Sequence, residues 1–176
     1  MKIQNASMRV LGASDIVRSA PGTQAQGLRI EPGVIRLFSK GDIGARGLLS
    51  GWAAPEEGHT WNDGIETAVL LEAEVPEGPV TIVIEGTPYL YGQVSHQDVT
   101  LFANGYRVGF WRLTERRQIA LTARIEPEQW FMRNGKASLR LVFNIPESIR
   151  PKELGDGADG RELGFAFCTI HIAEER

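Results

Sequence analysis

One cysteine in 176 residues, Cys168, excludes an internal disulfide and any zinc site built on cysteines. Three histidines, His59, His96 and His171, are scattered and leave little material for a histidine-rich metal centre. Charge of one sign is also scarce. Against 22 Asp and Glu stand 19 Lys and Arg, a net charge of -3, which argues against a nucleic-acid partner held through phosphate contacts. β-rich apolar runs such as VTIVI at 80–84 are far too short to span a bilayer. The N-terminal segment has no continuous apolar stretch of the signal-peptide kind, so the default expectation is a cytoplasmic protein without direct membrane insertion. Three motifs that announce catalysis are missing as well: the Gly-x-Ser-x-Gly elbow, His-Glu-x-x-His, and the phosphate loop ending in Gly-Lys-Ser/Thr.

What the chain does have is strand signal. Its 42% hydrophobic and 23% charged residues are those of an average globular domain, and its length is enough for one sizeable core. Segments at 34–39, 47–52, 67–73, 80–85, 97–103, 107–113, 117–125, 138–145 and 163–172 are apolar or alternate apolar with polar. Turn residues separate them, among them Pro76-Glu77-Gly78-Pro79. Asn104-Gly105 between two alternating segments predicts a type I′ hairpin, because both central residues need positive φ. Asn134-Gly135 predicts a second turn, and 127–133 and 151–154 each predict about one helical turn. The fold class that follows is all-β, a two-sheet antiparallel β-sandwich of jelly-roll-like type over 28–176. Residues 1–27 are expected to form an N-terminal arm or extra strand, with strand signal at 8–11. Along the last segment, alternation puts Leu163, Phe165 and Phe167 on one face and Ala166, Cys168, Ile170 and Ile172 on the other. That predicts a central strand covered on both sides, with Cys168 a buried small hydrophobe. Phe102, Phe110 and Phe143 are expected between the sheets.

Chemistry concentrates in two loops. Residues 51–64 hold Trp52, Trp61, Glu56, Glu57, His59 and Asp63 among glycines. Trp offers a flat apolar face to a sugar ring, and carboxylates take hydroxyl hydrogen bonds. At least one of the two Trp residues is expected in the core. Tyr89, Tyr91 and Tyr106 are expected at exposed rims. Arg112, Arg116 and Arg117 read as a solvated edge or a contact for an acidic sugar. The ligand-binding set is therefore Trp61, Asp63, Glu57, Tyr89, Tyr106 and Arg161. The second loop contains Glu153, Asp156, Asp159, Arg161 and Glu162. Calcium held by Asp156 and Asp159 is one reading, although the EF-hand spacing is absent. A structural Asp159–Arg161 cluster pinning the loop to the sheet end is the other. If 61–64 and 159–164 meet, they make one buried polar knot.

The order of Gly51-Trp52, Pro55-Glu56 and Trp61-Asn62-Asp63-Gly64, then Asn104-Gly105, then Pro151-Lys152-Glu153-Leu154-Gly155 with Asp159-Gly160-Arg161-Glu162-Leu163-Gly164, resembles a particular family. This is an uncharacterised β-sandwich domain appended to bacterial glycosyltransferases and other envelope-polysaccharide enzymes. Asn62 stands where that family has Ser. The resemblance implies a carbohydrate context without a mechanism. Three readings follow. The first is a non-catalytic module that binds a glycan or docks a glycosyltransferase in bacterial polysaccharide or glycoconjugate biosynthesis. The second is a protein assembly domain without a sugar site. The third is a sugar-active enzyme on a jelly-roll scaffold.

Overall fold

The computed structural model describes residues 27–133 and 135–173. The expected N-terminal arm, apart from Gly27, and Asn134 of the second turn lie outside the described residues. Among the described residues twelve strands follow in chain order: β1 (Leu28–Arg29), β2 (Arg36–Leu37), β3 (Leu48–Ser50), β4 (Thr60–Trp61), β5 (Glu66–Ala73), β6 (Val80–Pro88), β7 (Gln97–Ala103), β8 (Tyr106–Leu113), β9 (Ile119–Ile125), β10 (Phe131–Arg133), β11 (Lys136–Asn144) and β12 (Phe165–Ile172). One sheet runs β1-β5-β11-β7-β8, with β10 on β11 and β3 on β5. The other runs β2-β12-β6-β9, with β4 on β12. Every pairing between these strands is antiparallel except β1 with β5. The protein is thus an all-β, two-sheet sandwich of jelly-roll-like form, as its strand spacing predicts.

The pleat decides which side chains meet inside. On β7, Val99, Leu101 and Ala103 are buried, as are Leu139, Leu141 and Phe143 on β11, where Leu141 pairs with Ala103 and Phe143 with Leu101. Burying a large apolar side chain is worth about 1.5–3 kcal/mol against leaving it in water. The centre of the core is a ring cluster. Phe167 packs edge-to-face against Phe143 at 4.8 Å, Phe165 at 4.8 Å and Trp52 at 4.9 Å, and Phe38 stacks on Trp52 at 5.7 Å. Trp52 also donates its indole N–H to the Ala68 carbonyl at 2.6 Å, so it is the loop tryptophan committed to the core.

Four expectations need correction. Residues 131–133 pair with β11 as a strand, so the helical turn is confined to Pro127–Gln129. Phe102 and Phe110 do not pack between the sheets. Phe102 shares its face with Asp98 and Thr100, opposite to the buried Val99 and Leu101, and Phe110, paired with Thr100, is 47% exposed. On β12 a register shift between Phe167 and Thr169 breaks the alternation. One extra residue reverses the phase of the strand, so Ile170 and Ile172 join Phe165 and Phe167 in the same core. Cys168 is left half-buried on the outer side, not packed inside.

The β7–β8 hairpin matches its Asn-Gly signal. Asn104 has φ of 46° and Gly105 of 90°, both positive as a type I′ turn demands. The Asn104 carboxamide also donates to the carbonyls of Gln129 and Ser138 and accepts from the Arg140 N–H. A Cβ on Gly105 would meet open space, so only backbone strain opposes substitution there. Gly105→Val is expected to cost about 1–3 kcal/mol in urea unfolding, and Gly105→Asn clearly less, because Asn tolerates the left-handed region.

Candidate functional site

Asn62, at the end of β4, is fully buried. Its carboxamide N–H groups donate to the Gly64 carbonyl at 2.7 Å and to Ser148 Oγ at 2.9 Å. Its oxygen accepts from the Gly164 N–H at 3.0 Å and the Phe165 N–H at 2.7 Å. Ser148 Oγ in turn donates to the Ile145 carbonyl. Gly164 is obligatory beside this knot, since a Cβ there would lie 2.5 Å from Ser148 Oγ and 2.6 Å from Ile145 Cγ2. Segments 61–64 and 159–164 therefore do meet, and the buried side chain that joins them is Asn62. Asp63 is exposed, and its Oδ1 accepts the Glu162 N–H at 2.9 Å, a capping role at the rim of the knot.

Immediately before Asn62, Trp61 opens onto a groove of about 310 Å³ lined by His59, Trp61, Thr87, Pro88, Tyr89, Leu90, Arg116, Ala166 and Cys168. Its aromatic wall is graded: His59 meets Trp61 edge-on at 5.6 Å, and Trp61 meets Tyr89 edge-on at 6.1 Å. Cys168 lies with Ala166 on the outer face of β12, and both line the groove. Burial, with the charge of Glu85 adding, pushes the Cys168 thiol above its ordinary value, so it is a poor nucleophile at neutral pH.

Tyr89 is buried, not rim-exposed as expected. Its hydroxyl donates to Asp156 Oδ2 at 2.8 Å, and its carbonyl accepts from Gln97 Nε2 at 2.9 Å. Burial first, then the Asp156 hydrogen bond, pushes the phenol well above the usual tyrosine range. Tyr89 thus presents a ring edge to the groove and spends its hydroxyl on the acidic loop.

Arg161 is the second anchor. It forms a fork with Asp159, its Nη2 2.7 Å from Oδ2, and its Nη1 reaches Glu56 Oε1 at 2.6 Å. The Asp159 carboxyl is held below the ordinary carboxylate range chiefly by that side-chain hydrogen bond from Arg161. Its stabilising contribution is present above the ordinary carboxylate value and is lost as pH falls through the lowered one. His59 Nε2 lies 3.5 Å from Glu56 Oε2, so Arg161, Glu56 and His59 link the acidic loop to the groove. Asp156 and Asp159 turn to different partners, Tyr89 and Arg161. Glu57 is exposed, and Tyr106 is 54% exposed at the β7–β8 turn, outside the groove lining. Of the residues expected to bind ligand, Trp61 and Tyr89 come together in the groove and Arg161 stands behind it.

Sequence reasoning missed Asn62 as the tie and Gln97 as the support of Tyr89. A buried amide carries no one-dimensional signature, and Gln97 reads only as the start of a strand. Among the described residues, three metal-ligating side chains converge within 4.8 Å at His96, Asp98 and Glu147.

The described fold has similar solved structures. The CBM36-1 domain of a multidomain xylanase from the hindgut metagenome of Trinervitermes trinervoides is 14% identical, with a TM-score of 0.47 over 81% of this chain and 98% of that one. A family 35 carbohydrate binding module from an environmental isolate is 11% identical, with a TM-score of 0.43 over 81% and 93%. Dimeric latent PorU from Porphyromonas gingivalis is 12% identical, with a TM-score of 0.44 over 86% of this chain and 13% of that one. No family model matches the sequence, and no curated protein matches it.

Asn62→Ala is expected to lower stability by about 3 kcal/mol, since it leaves the buried Gly164 and Phe165 N–H groups without an acceptor. Asp63→Ala removes one exposed cap and is expected to cost about 1 kcal/mol or less. Paired urea titrations of the two variants check the contrast.

Proposed function

We propose that this protein is a non-catalytic carbohydrate-binding module whose sugar site is the Trp61 groove. The observation that carries the reading is the aromatic wall of His59, Trp61 and Tyr89 facing one cationic group, Arg116, in a groove of small-ligand size. Sugar rings bury their C–H faces on aromatic side chains, and the Thr87 hydroxyl, His59 and Arg116 supply hydrogen bonds at the edge. The lining contains no Asp or Glu, whereas glycoside hydrolysis uses two carboxyl groups flanking the bond. That favours binding over a sugar-active enzyme. The setting we propose is polysaccharide or glycoconjugate biosynthesis in the cytoplasm of a bacterium, beside a glycosyltransferase. It rests on the three sequence motifs, and Arg161 and Asp63 then serve as supports of the site rather than as sugar ligands.

One observation favours the assembly reading. Phe110 is 47% exposed on the outer face of the β7–β8 pair, with Phe102 on the same face and the Arg107 guanidinium 5.6 Å from the Phe110 ring centroid. A protein partner would cover that face and leave the Trp61 groove untouched.

A glycan array separates the two. Trp61→Ala and Arg116→Ala are expected to lose a specific glycan signal with the melting temperature of Arg116→Ala unchanged, while Phe110→Ser keeps the signal. A signal insensitive to both groove variants contradicts the groove assignment.

A further inference from the structure

His96, Asp98 and Glu147 lie at one end of the sandwich, on the opposite strand ladder from the Trp61 groove. β11 and β7 pair through Asn144 and Thr100, so the chain leaving β11 carries Glu147 over the entry to β7. There His96 precedes the strand and Asp98 is its second residue. Each side chain is about a third exposed or less.

The contacts around the three groups orient them without using up their donor atoms. His96 Nδ1 lies 3.2 Å from Ser95 Oγ. That contact accommodates the ring proton on Nδ1 and leaves the Nε2 lone pair free. Nε2 faces Glu147 Oε1 at 3.8 Å, too far for a hydrogen bond. Glu147 Oε2 accepts the Asp98 N–H at 2.9 Å, which fixes the carboxylate and leaves Oε1 turned to the imidazole. Asp98 is held by a fork from Arg112 at 2.8 and 2.7 Å, and each oxygen retains a second lone pair. All three ligand atoms fall within 4.8 Å of one another. Ligands bonded to a tetrahedral ion at about 2.0–2.1 Å lie roughly 3.3 Å apart, so closing on a metal requires shifts of about an ångström in side chains that reach solvent.

From this geometry we infer a divalent transition-metal site of the zinc class, with His96 Nε2, Glu147 Oε1 and one Asp98 oxygen as ligands and the fourth position open. The donor set decides the metal: one imidazole with two carboxylates suits zinc or cobalt, whereas calcium and magnesium take oxygen ligands throughout. The two carboxylates carry more negative charge than Arg112 cancels, so the site attracts a cation with Arg112 in place. Ser95 and the Asp98 amide act as the outer contacts that metal sites use to aim their ligands. The segment has a structural consequence as well. Gln97, between two of the ligands, donates to the carbonyls of Tyr89 and Glu147 at 2.9 and 3.3 Å. A metal that ties His96 and Asp98 to Glu147 therefore braces the backbone beneath Tyr89. The inference does not depend on the sugar reading.

The test is zinc chloride titrated into the chelator-stripped full chain by calorimetry, with cobalt(II) absorption as a second probe. One zinc per chain is expected, with a visible cobalt spectrum of low-symmetry coordination and a zinc-dependent rise in melting temperature. His96→Ala and Glu147→Gln are each expected to weaken zinc binding at least about tenfold and to abolish the rise. Circular dichroism of both variants without metal is the check that they fold. Absence of zinc binding by the wild-type chain overturns the site, and so does zinc binding that His96→Ala leaves unchanged.

Discussion

A single buried carboxamide holds together the parts of this sandwich that matter for its surface. Asn62 lies where water does not reach, so both ends of its amide must find protein partners. It finds them on segments 86 and 103 residues away in sequence, at Ser148 and Phe165. Through those bonds β4, the turn at 145–148 and the start of β12 become one rigid junction. Trp61 precedes the junction and Phe165 follows it, so the groove wall and the ring cluster of the core hang from the same few hydrogen bonds. The low local dielectric makes each of them stronger and makes a missing partner costly.

The β12 bulge is a second constraint, and it acts on the core. Without it, strict alternation would send Ile170 and Ile172 outward with Ala166 and Cys168. The extra residue keeps Ile170 and Ile172 in one core with Phe165 and Phe167, while Cys168 stays on the outer face among the groove residues Trp61 and His59. The local irregularity therefore completes the core behind the strand that floors the groove. Arg161 then joins the acidic loop to Glu56 and, through it, to His59. Core, groove and acidic loop are mechanically connected.

The His96, Asp98 and Glu147 group sits on the other sheet, yet Gln97 links it to the Tyr89 carbonyl. Two candidate sites thus share one support. Tyr89 is the common element: its ring edge meets Trp61, its hydroxyl meets Asp156, and its backbone is held by Gln97. A residue bound on three sides is a good wall and a poor general acid, consistent with a phenol whose proton is held more tightly than usual.

Much of the fold was legible in one dimension because its causes are local. Alternation in 97–103 and 117–125 shows which side chains a pleat will bury, and Asn104-Gly105 forces positive φ whatever surrounds it. That the Trp-Asn-Asp-Gly and Asp-Gly-Arg motifs meet was a condition the sequence left open, and the hydrogen bonds between Asn62 and Gly164 and between Asp63 and Glu162 meet it. Tyr89 and Phe110 were misplaced for one shared reason. An aromatic residue on a strand or just past its end reads as core or rim only once its cover is known, and Phe110 on β8 lies beyond the covered area while Tyr89, which follows β6, lies beneath the acidic loop. The sequence by itself determined the long strands, the hairpin and the all-β class, since steric limits on φ and the two-residue period act on neighbours, but not the short β1, β4 and β10. The knot at Asn62, the phase reversal on β12, the Trp61 groove and the His96–Asp98–Glu147 group were decided only by tertiary structure, because each needs residues far apart in the chain to share one place in space.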